Sequence, residues 1–133
     1  MQIVMFSLGD EEFAVETLKV QNISNNMLVT KVPKSDRHIR GLINLRGSII
    51  SLVDINLLLR TNNEFNEKGN IIIINIDDEE IAISVDKVRE VLDIDEKMIQ
   101  KLDAEEARDY VKGIINLNGN IITLIDLNIL LGN

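Results

Sequence analysis

Several kinds of residue are absent from this chain or nearly so. It contains no cysteine and no tryptophan, and only one proline and one histidine. Without cysteine it can form no disulfide framework, no thiolate nucleophile and no cysteine-ligated zinc site. Aromatic residues make up 3% of the chain, too few for a platform on which nucleic-acid bases could stack. No apolar run is long enough to span a membrane and the N-terminus lacks a signal-peptide pattern, so we expect a cytoplasmic protein.

The residues that are plentiful favour a β-rich globular fold. Of the 133 residues, 45% are hydrophobic, and isoleucine, leucine and valine supply most of them. β-Branched residues are typical of strands, and a chain of this length can bury a substantial core. We therefore expect a single domain over residues 1–133.

Negative charge is concentrated in the second half of the chain. Residues 1–69 contain eight cationic and eight acidic side chains, whereas residues 70–133 contain six and fourteen, which accounts for the net charge of −8. Binding to nucleic acid requires a basic face, so this balance argues against nucleic acid as a partner. Such an asymmetry influences which partners a protein meets, not which fold it adopts.

These two halves are copies of one sequence pattern. Residues 41–59 return as residues 113–131 with 12 of 19 positions identical, and residues 3–23 align with residues 71–91. Two copies are too few for a solenoid, in which three or more units stack. The repeat therefore predicts an all-β fold with short helices, in which five strands per half close into two small barrels that share a hydrophobic core.

Two hairpin turns occupy equivalent positions in the repeat. The second, Asn118-Gly119, is the strongest short hairpin signal, and the first has Arg46-Gly47 in its place. Arginine is a poorer turn residue than asparagine, which hints that Arg46 is retained for a contact with a partner. The alternative is that its side chain braces the hairpin.

An aspartate follows the returning strand of each hairpin. Asp54 and Asp126 both precede a leucine-rich segment, where a carboxylate can accept N–H bonds from the first turn of a helix. A small enzyme that uses the two carboxylates is the alternative, but the repeat places them on different barrels. We therefore interpret both as helix N-caps.

Three other segments are predicted to lie outside the strands. Ser35 and Asp36 could cap a single helical turn that runs to Ile39. Residues 61–70 are polar enough for a linker loop, and residues 103–112 have the spacing of a short helix.

No group of residues forms recognisable catalytic machinery. His38 is the only histidine and lies in a basic loop, where a solvated side chain is the simpler interpretation. The acidic runs at residues 77–80 and 93–96 lack the glycine and the alternating ligands of a calcium-binding loop. No glycine spacing matches a phosphate-binding loop. We expect no enzymatic activity, metal or cofactor, and interpret the chain as a binding module.

A basic stretch stands out in an otherwise acidic protein. Within sixteen residues five cations are opposed only by Asp36, namely Lys31, Lys34, Arg37, Arg40 and Arg46. The stretch could meet an acidic partner, or its charges could simply solvate a loop.

Several motifs, taken in order, resemble the CheW family of chemotaxis coupling proteins. They are F-S-L-G-D-E-E-F-A-V, L-K-V-Q-N-I, T-K-V-P and G-L-I-N-L-R-G-S-I-I-S-L-V-D, and the resemblance runs from about Gln2 to the C-terminus. It implies two intertwined five-stranded β-barrels of the Src-homology type and no catalysis. It also implies an adaptor that bridges the cytoplasmic tips of chemoreceptors to the regulatory domain of the histidine kinase CheA. Such a protein would meet the membrane only through receptors and would be a monomer when free.

The resemblance also assigns binding residues. A receptor-facing groove between the barrels would involve Val20, Asn22, Asn44, Arg46 and Val91. The kinase would be bound by the second hairpin, through Asn116, Asn118, Gly119 and Asn120.

Two positions depart from the pattern that many members share. Asn22 stands where glutamate is common, so this position of the expected receptor contact is polar but uncharged. Ser51 stands where proline is common, so this strand keeps its N–H donor.

The resemblance leaves the pathway open. An adaptor of a parallel kinase pathway, such as pilus motility, fits the same motifs. Related CheV proteins carry a receiver domain after this module, whereas this chain ends at Asn133, which favours a stand-alone coupler.

Overall fold

The computed structural model describes residues 1–25, 27–32, 38–103 and 108–132. These residues are mostly in strands, and each half of the repeat ends in a short α-helix, which confirms the predicted fold class. The first half forms β1 (Gln2–Leu8), β2 (Glu11–Glu16), β3 (Val20–Ser24), β4 (Ile39–Leu45), β5 (Ser48–Val53) and α1 (Ile55–Leu59). The second half forms β6 (Asn70–Ile76), β7 (Glu79–Val85), β8 (Lys87–Asp93), β9 (Ile99–Gln100), β10 (Val111–Leu117), β11 (Asn120–Ile125) and α2 (Leu127–Leu131).

The strands form two sheets, and each sheet takes strands from both halves. The strand orders are β8-β1-β2-β11-β10-β9 and β3-β6-β7-β5-β4. Replacing every strand by its repeat counterpart converts the first order into the second, apart from the two-residue β9. Each half thus contributes its first hairpin to one SH3-like barrel and its remaining strands to the other. The barrels are intertwined as the resemblance implied, and neither barrel coincides with one half of the chain.

Parallel pairing joins the exchanged hairpins to their new neighbours. Strand β2 runs parallel to β11, with Glu12 opposite Ile122, and β7 runs parallel to β5, with Ile81 opposite Ser51. Ser51 also pairs with Leu42 of β4, so it lies in a strand that is bonded on both sides. A proline at this position would remove a ladder donor, whereas serine keeps its backbone N–H.

The difference in net charge between the two halves is also a difference between the two barrels. Residues 17–85 contain all five strands of one sheet and carry eight cationic and eight acidic side chains. Residues 1–16 and 86–133, which contain the other sheet, carry six and fourteen. We call the first the neutral barrel and the second the acidic barrel.

A shared hydrophobic core lies between the two barrels. Alternate residues of β1 divide between two cores, because Val4, Phe6 and Leu8 face the shared core and Ile3 and Met5 face the interior of the acidic barrel. Strand β6 repeats this division with Ile72, Ile74 and Ile76 on the shared side and Ile71 and Ile73 in the neutral barrel. Burial on both faces is the reason that these strands are continuously apolar in the sequence. The predicted shared core is therefore confirmed.

Both helices begin at the predicted N-caps. Asp54 accepts a hydrogen bond from the backbone N–H of Asn56 at 3.0 Å, and Asp126 accepts one from Ile129 at 3.2 Å. Each carboxylate satisfies a donor that the first turn of a helix otherwise leaves unpaired.

Some local predictions were wrong or fall outside the described residues. Thr17–Lys19 forms a 3-10 turn between β2 and β3. The helix expected over residues 103–112 is not formed at its end, where Val111 and Lys112 begin β10, and residues 104–107 lie outside the described ranges. The helical turn expected at Ser35 and Asp36 lies outside them too.

Candidate functional site

Two hairpin tips project from equivalent corners of the two barrels. The β4–β5 tip of the neutral barrel has Arg46 at φ 53° and Gly47 at φ 87°, and the β10–β11 tip of the acidic barrel has Asn118 at φ 53° and Gly119 at φ 92°. Two successive residues at positive φ form the type of two-residue turn that matches the twist of a hairpin. Asparagine and glycine adopt this conformation readily, whereas arginine pays a steric cost for it. The structure therefore places Arg46 in a conformation that its side chain does not favour.

A side-chain amide braces each tip in the same way. The Asn44 Oδ1 atom accepts a hydrogen bond from the Gly47 backbone nitrogen at 2.9 Å, and Asn116 Oδ1 accepts one from Gly119 at 2.9 Å. Each brace occupies the side-chain oxygen of an exposed asparagine that was expected to contact a partner. Asn44 and Asn116 thus fix the tips and leave their amide NH2 groups for a contact.

Each hairpin also carries an exposed isoleucine that the sequence analysis did not single out. Ile49 of β5 is 63% exposed and Ile121 of β11 is 53% exposed. They lie directly across the ladder from the two bracing asparagines, Ile49 from Asn44 and Ile121 from Asn116. The repeated Ile-Ile pair was the available signal, because successive residues of a strand face opposite sides, and one of the two is exposed wherever the strand has a solvent-facing side.

Arg46 is the exposed cation of the neutral tip. No carboxylate of the described residues lies within ion-pair distance of its guanidinium, whereas two other cations of the basic stretch are paired. Arg40 binds the buried carboxylate of Asp54 at 2.7 Å, and Lys31 lies 3.9 Å from Glu67 on the surface. The guanidinium of Arg40 is therefore paired within the protein, although 45% of its side chain is exposed, and a contact of the basic stretch with an acidic partner stays a prediction. Lys34 and Arg37 lie outside the described residues.

The other expected receptor residues lie on edge strands. Val20 and Asn22 belong to β3, at one edge of the neutral barrel's sheet, whereas Asn44 and Arg46 belong to the hairpin at its other edge. Val91 is 47% exposed on β8, an edge strand of the acidic barrel. Val20 also packs against the shared core, so part of its side chain has a structural role. The structure thus groups Asn44 with Arg46 and Val20 with Asn22, and leaves Val91 on the other sheet.

The four expected kinase residues lie together. Asn116, Asn118, Gly119 and Asn120 are all exposed at the tip of the acidic barrel. Ile121 follows directly and adds an exposed apolar side chain to this polar tip.

The groups considered for chemistry have structural roles. Asp54 is buried against Arg40 and caps α1, while Asp126 caps α2 on the other barrel, so the two carboxylates do not form a catalytic pair. His38 is half-buried, not solvated, and its carbonyl accepts a hydrogen bond from the Asp54 backbone.

The acidic runs form local structure. Asp77 and Asp78 make the β6–β7 turn, and Asp95 caps a 3-10 turn at Glu96–Met98. Within the described ranges, no three potential metal ligands converge. No helix of the described residues is long and apolar enough to cross a membrane.

Comparison with known proteins agrees with this geometry. The family model of the CheW-like domain matches residues 2–133. The chemotaxis protein CheW of Klebsiella aerogenes is 28% identical over 98% of this chain and 81% of its own length. The CheW protein of Thermotoga maritima is 26% identical over 96% of this chain and 85% of its own. The crystal structure of the scaffolding protein CheW from Thermoanaerobacter tengcongensis superposes with a TM-score of 0.84 at 29% identity, covering 99% of this chain and 94% of that one.

Two interleaved barrels with exposed hairpin tips, in a fold shared with a solved scaffolding protein, define the class as a scaffolding module. The chain belongs to the CheW family of chemotaxis scaffold proteins.

Proposed function

We propose that this chain couples the cytoplasmic tips of chemoreceptors to the regulatory domain of the histidine kinase CheA, and that it does so in the cytoplasm. The observation that carries the proposal is the pair of equivalent hairpin tips, each with an exposed isoleucine beside a braced asparagine. A rigid tip with an apolar centre and a polar surround has the composition of a protein-binding surface. Two such surfaces on one molecule suit an adaptor, which must hold two partners.

The kinase contact is assigned to the tip of the acidic barrel. Its residues Asn116, Asn118, Gly119 and Asn120 offer polar groups around the exposed side chain of Ile121. The net charge of −8 belongs to the residues that contain this barrel, so a cationic rim on the partner would speed encounter. We expect the affinity itself to depend on the apolar centre and to fall less than about tenfold between low and physiological salt.

We assign the receptor contact to the neutral barrel, together with one residue of the acidic barrel. Arg46 and Asn44 lie at the tip, Val20 and Asn22 lie on the edge strand β3, and Val91 lies on the equivalent edge strand of the acidic barrel. Arg46 supports this assignment because its strained backbone is not offset by an ion pair within the described residues. An arginine at this position can bind a carboxylate or a carbonyl of a partner with two donors.

Calorimetric titration with the regulatory domain of the cognate CheA, and then with a receptor-tip fragment, tests the proposal. We expect saturable binding to each partner, with a stoichiometry near one to one and an affinity in the micromolar range or tighter. A folded chain that gives no heat with either partner would contradict it. Binding to the kinase of a parallel pathway, in preference to the chemotaxis kinase, would assign the chain to that pathway instead.

A further inference from the structure

The tip of the acidic barrel contains the one Asn-Gly step of the sequence, at Asn118-Gly119. A glycine after an asparagine leaves the backbone nitrogen unhindered, because no side chain shields it from the neighbouring side-chain amide. Both residues are exposed, and a Cβ atom added to Gly119 would meet no atom within 4 Å. Water therefore reaches the atoms that an intramolecular reaction would use.

One hydrogen bond occupies the nitrogen that would react. The Gly119 N–H donates to Asn116 Oδ1 at 2.9 Å, within a turn that closes the β10–β11 ladder between Leu117 and Asn120. The nitrogen can attack the side-chain carbonyl of Asn118 only after it has left this acceptor and lost its proton. The hydrogen bond that shapes the tip thus also holds this nitrogen back from the reaction, and we call it the lock.

We propose that Asn118 is a site of spontaneous deamidation whose rate is held down by Asn116. In the reaction, the deprotonated Gly119 nitrogen forms a bond to Cγ of Asn118, and the side-chain amide nitrogen leaves as ammonia. The cyclic imide then takes up water at either carbonyl and opens to aspartate or isoaspartate. The net change is the hydrolysis of one amide to one carboxylate, with water as the only co-reactant.

The product would change the tip in two ways. Every opening of the cyclic imide adds one negative charge to the barrel whose residues already carry the protein's net negative charge. Opening to isoaspartate also inserts a backbone methylene into a two-residue turn, which disturbs the pairing of Leu117 with Asn120. The chemistry itself does not depend on the proposed partners.

The repeat supplies the internal control. The tip of the neutral barrel has the same brace, from Asn44 to Gly47, but Arg46 replaces the reactive amide. Loss of the brace there can disturb the hairpin without opening a route to deamidation.

The experiment incubates the full chain in mildly alkaline buffer and follows the peptide that begins at Gly113 by mass spectrometry with fragmentation. We expect Asn116→Ala to raise the deamidation rate of Asn118 roughly fivefold, the factor set by loss of one net hydrogen bond. Asn116→Asp keeps an acceptor oxygen and should stay near the wild-type rate. Asn118→Arg copies the other turn and should abolish the reaction at this position.

Asn44→Ala separates the lock from a general loosening of the protein. It should leave the rate at Asn118 unchanged, and an equal acceleration by Asn44→Ala and Asn116→Ala would overturn the proposal. An unchanged rate in Asn116→Ala would overturn it as well. If Asn116→Ala does not fold, hydrogen exchange of the wild-type Gly119 amide decides, because the lock requires this amide to exchange more slowly than in an unstructured peptide.

Discussion

The half-exposed Arg40 and the buried Asp54 form an ion pair that ties the start of β4 to the start of α1. Both Nη2 and Nε of Arg40 bind Oδ2 of Asp54, at 2.7 and 2.9 Å, while Oδ1 caps the helix. The Asp54 side chain is only 2% exposed, and the Arg40 guanidinium lies 5.4 Å from the ring centroid of Phe65. The carboxylate thus has partners for both oxygens, which a buried charge requires.

Arg40→Ala should destabilise the protein by about 2–3 kcal/mol, because it leaves a buried carboxylate without its cation. Urea unfolding followed by circular dichroism measures the change. The matched control is Lys112→Ala, at the repeat position, since Lys112 pairs with the more exposed Glu16 at 2.8 Å. That control should cost less than about 1 kcal/mol. Equal losses in the two variants would show that the Arg40 pair is no more than a surface contact.

Arg46→Asn should separate stability from function. Asparagine tolerates the positive φ of this turn better than arginine, so we expect the variant to gain about 0.5–1 kcal/mol. Receptor coupling, measured as kinase activation in a reconstituted array, should fall, because the cation of the tip is lost. The reverse exchange, Asn118→Arg, should lose a similar amount of stability in the acidic barrel. Unchanged kinase activation in Arg46→Asn would remove Arg46 from the receptor contact.

The parts of the fold that could be predicted from the sequence depend on neighbours in the chain. The hairpin turns at Arg46 and Asn118 and the caps at Asp54 and Asp126 are local, so residue type and spacing indicate them directly. The continuous apolar run of β6 is also a local feature, and the structure explains it by burial of the strand on both faces.

The parts that could not be predicted from residue patterns depend on partners far along the chain. Local patterns give no register between β2 and β11, so the exchange of hairpins between barrels entered only through the resemblance. The pairing of Arg40 with Asp54 was missed for the same reason, because it follows from the alignment of Ile39 with Val53 in the β4–β5 ladder. Ile49 and Ile121 were missed because the sequence does not say which residue of an Ile-Ile pair faces outward.

Ile121→Asp should weaken binding to the kinase regulatory domain at least about tenfold, because it places a charge at the centre of the proposed contact. The side chain is 53% exposed, so the fold should be retained, with less than about 1 kcal/mol lost. Ile49→Asp makes the same change at the equivalent position of the neutral barrel and should leave kinase binding within about twofold. Titration calorimetry of both variants against the same domain measures the difference. Loss of binding in Ile49→Asp alone would transfer the kinase contact to the neutral barrel.

The exchange of hairpins predicts that neither half of the repeat folds alone. A fragment of residues 1–69 would expose the β1–β2 hairpin without β8 and β11, and its remaining strands would lack β6 and β7. Both fragments would also lose the opposite side of the shared core, where Phe6 and Ile72 lie fully buried. Circular dichroism and proton NMR should therefore show residues 1–69 and 70–133 to be unfolded when separate, since each loses most of the apolar burial that stabilises the fold. An equimolar mixture should recover the β spectrum of the intact chain, because all the strand partners are then present. A cooperative unfolding transition in either isolated half would contradict the interleaved barrels, since such a half would have to close a barrel from its own strands.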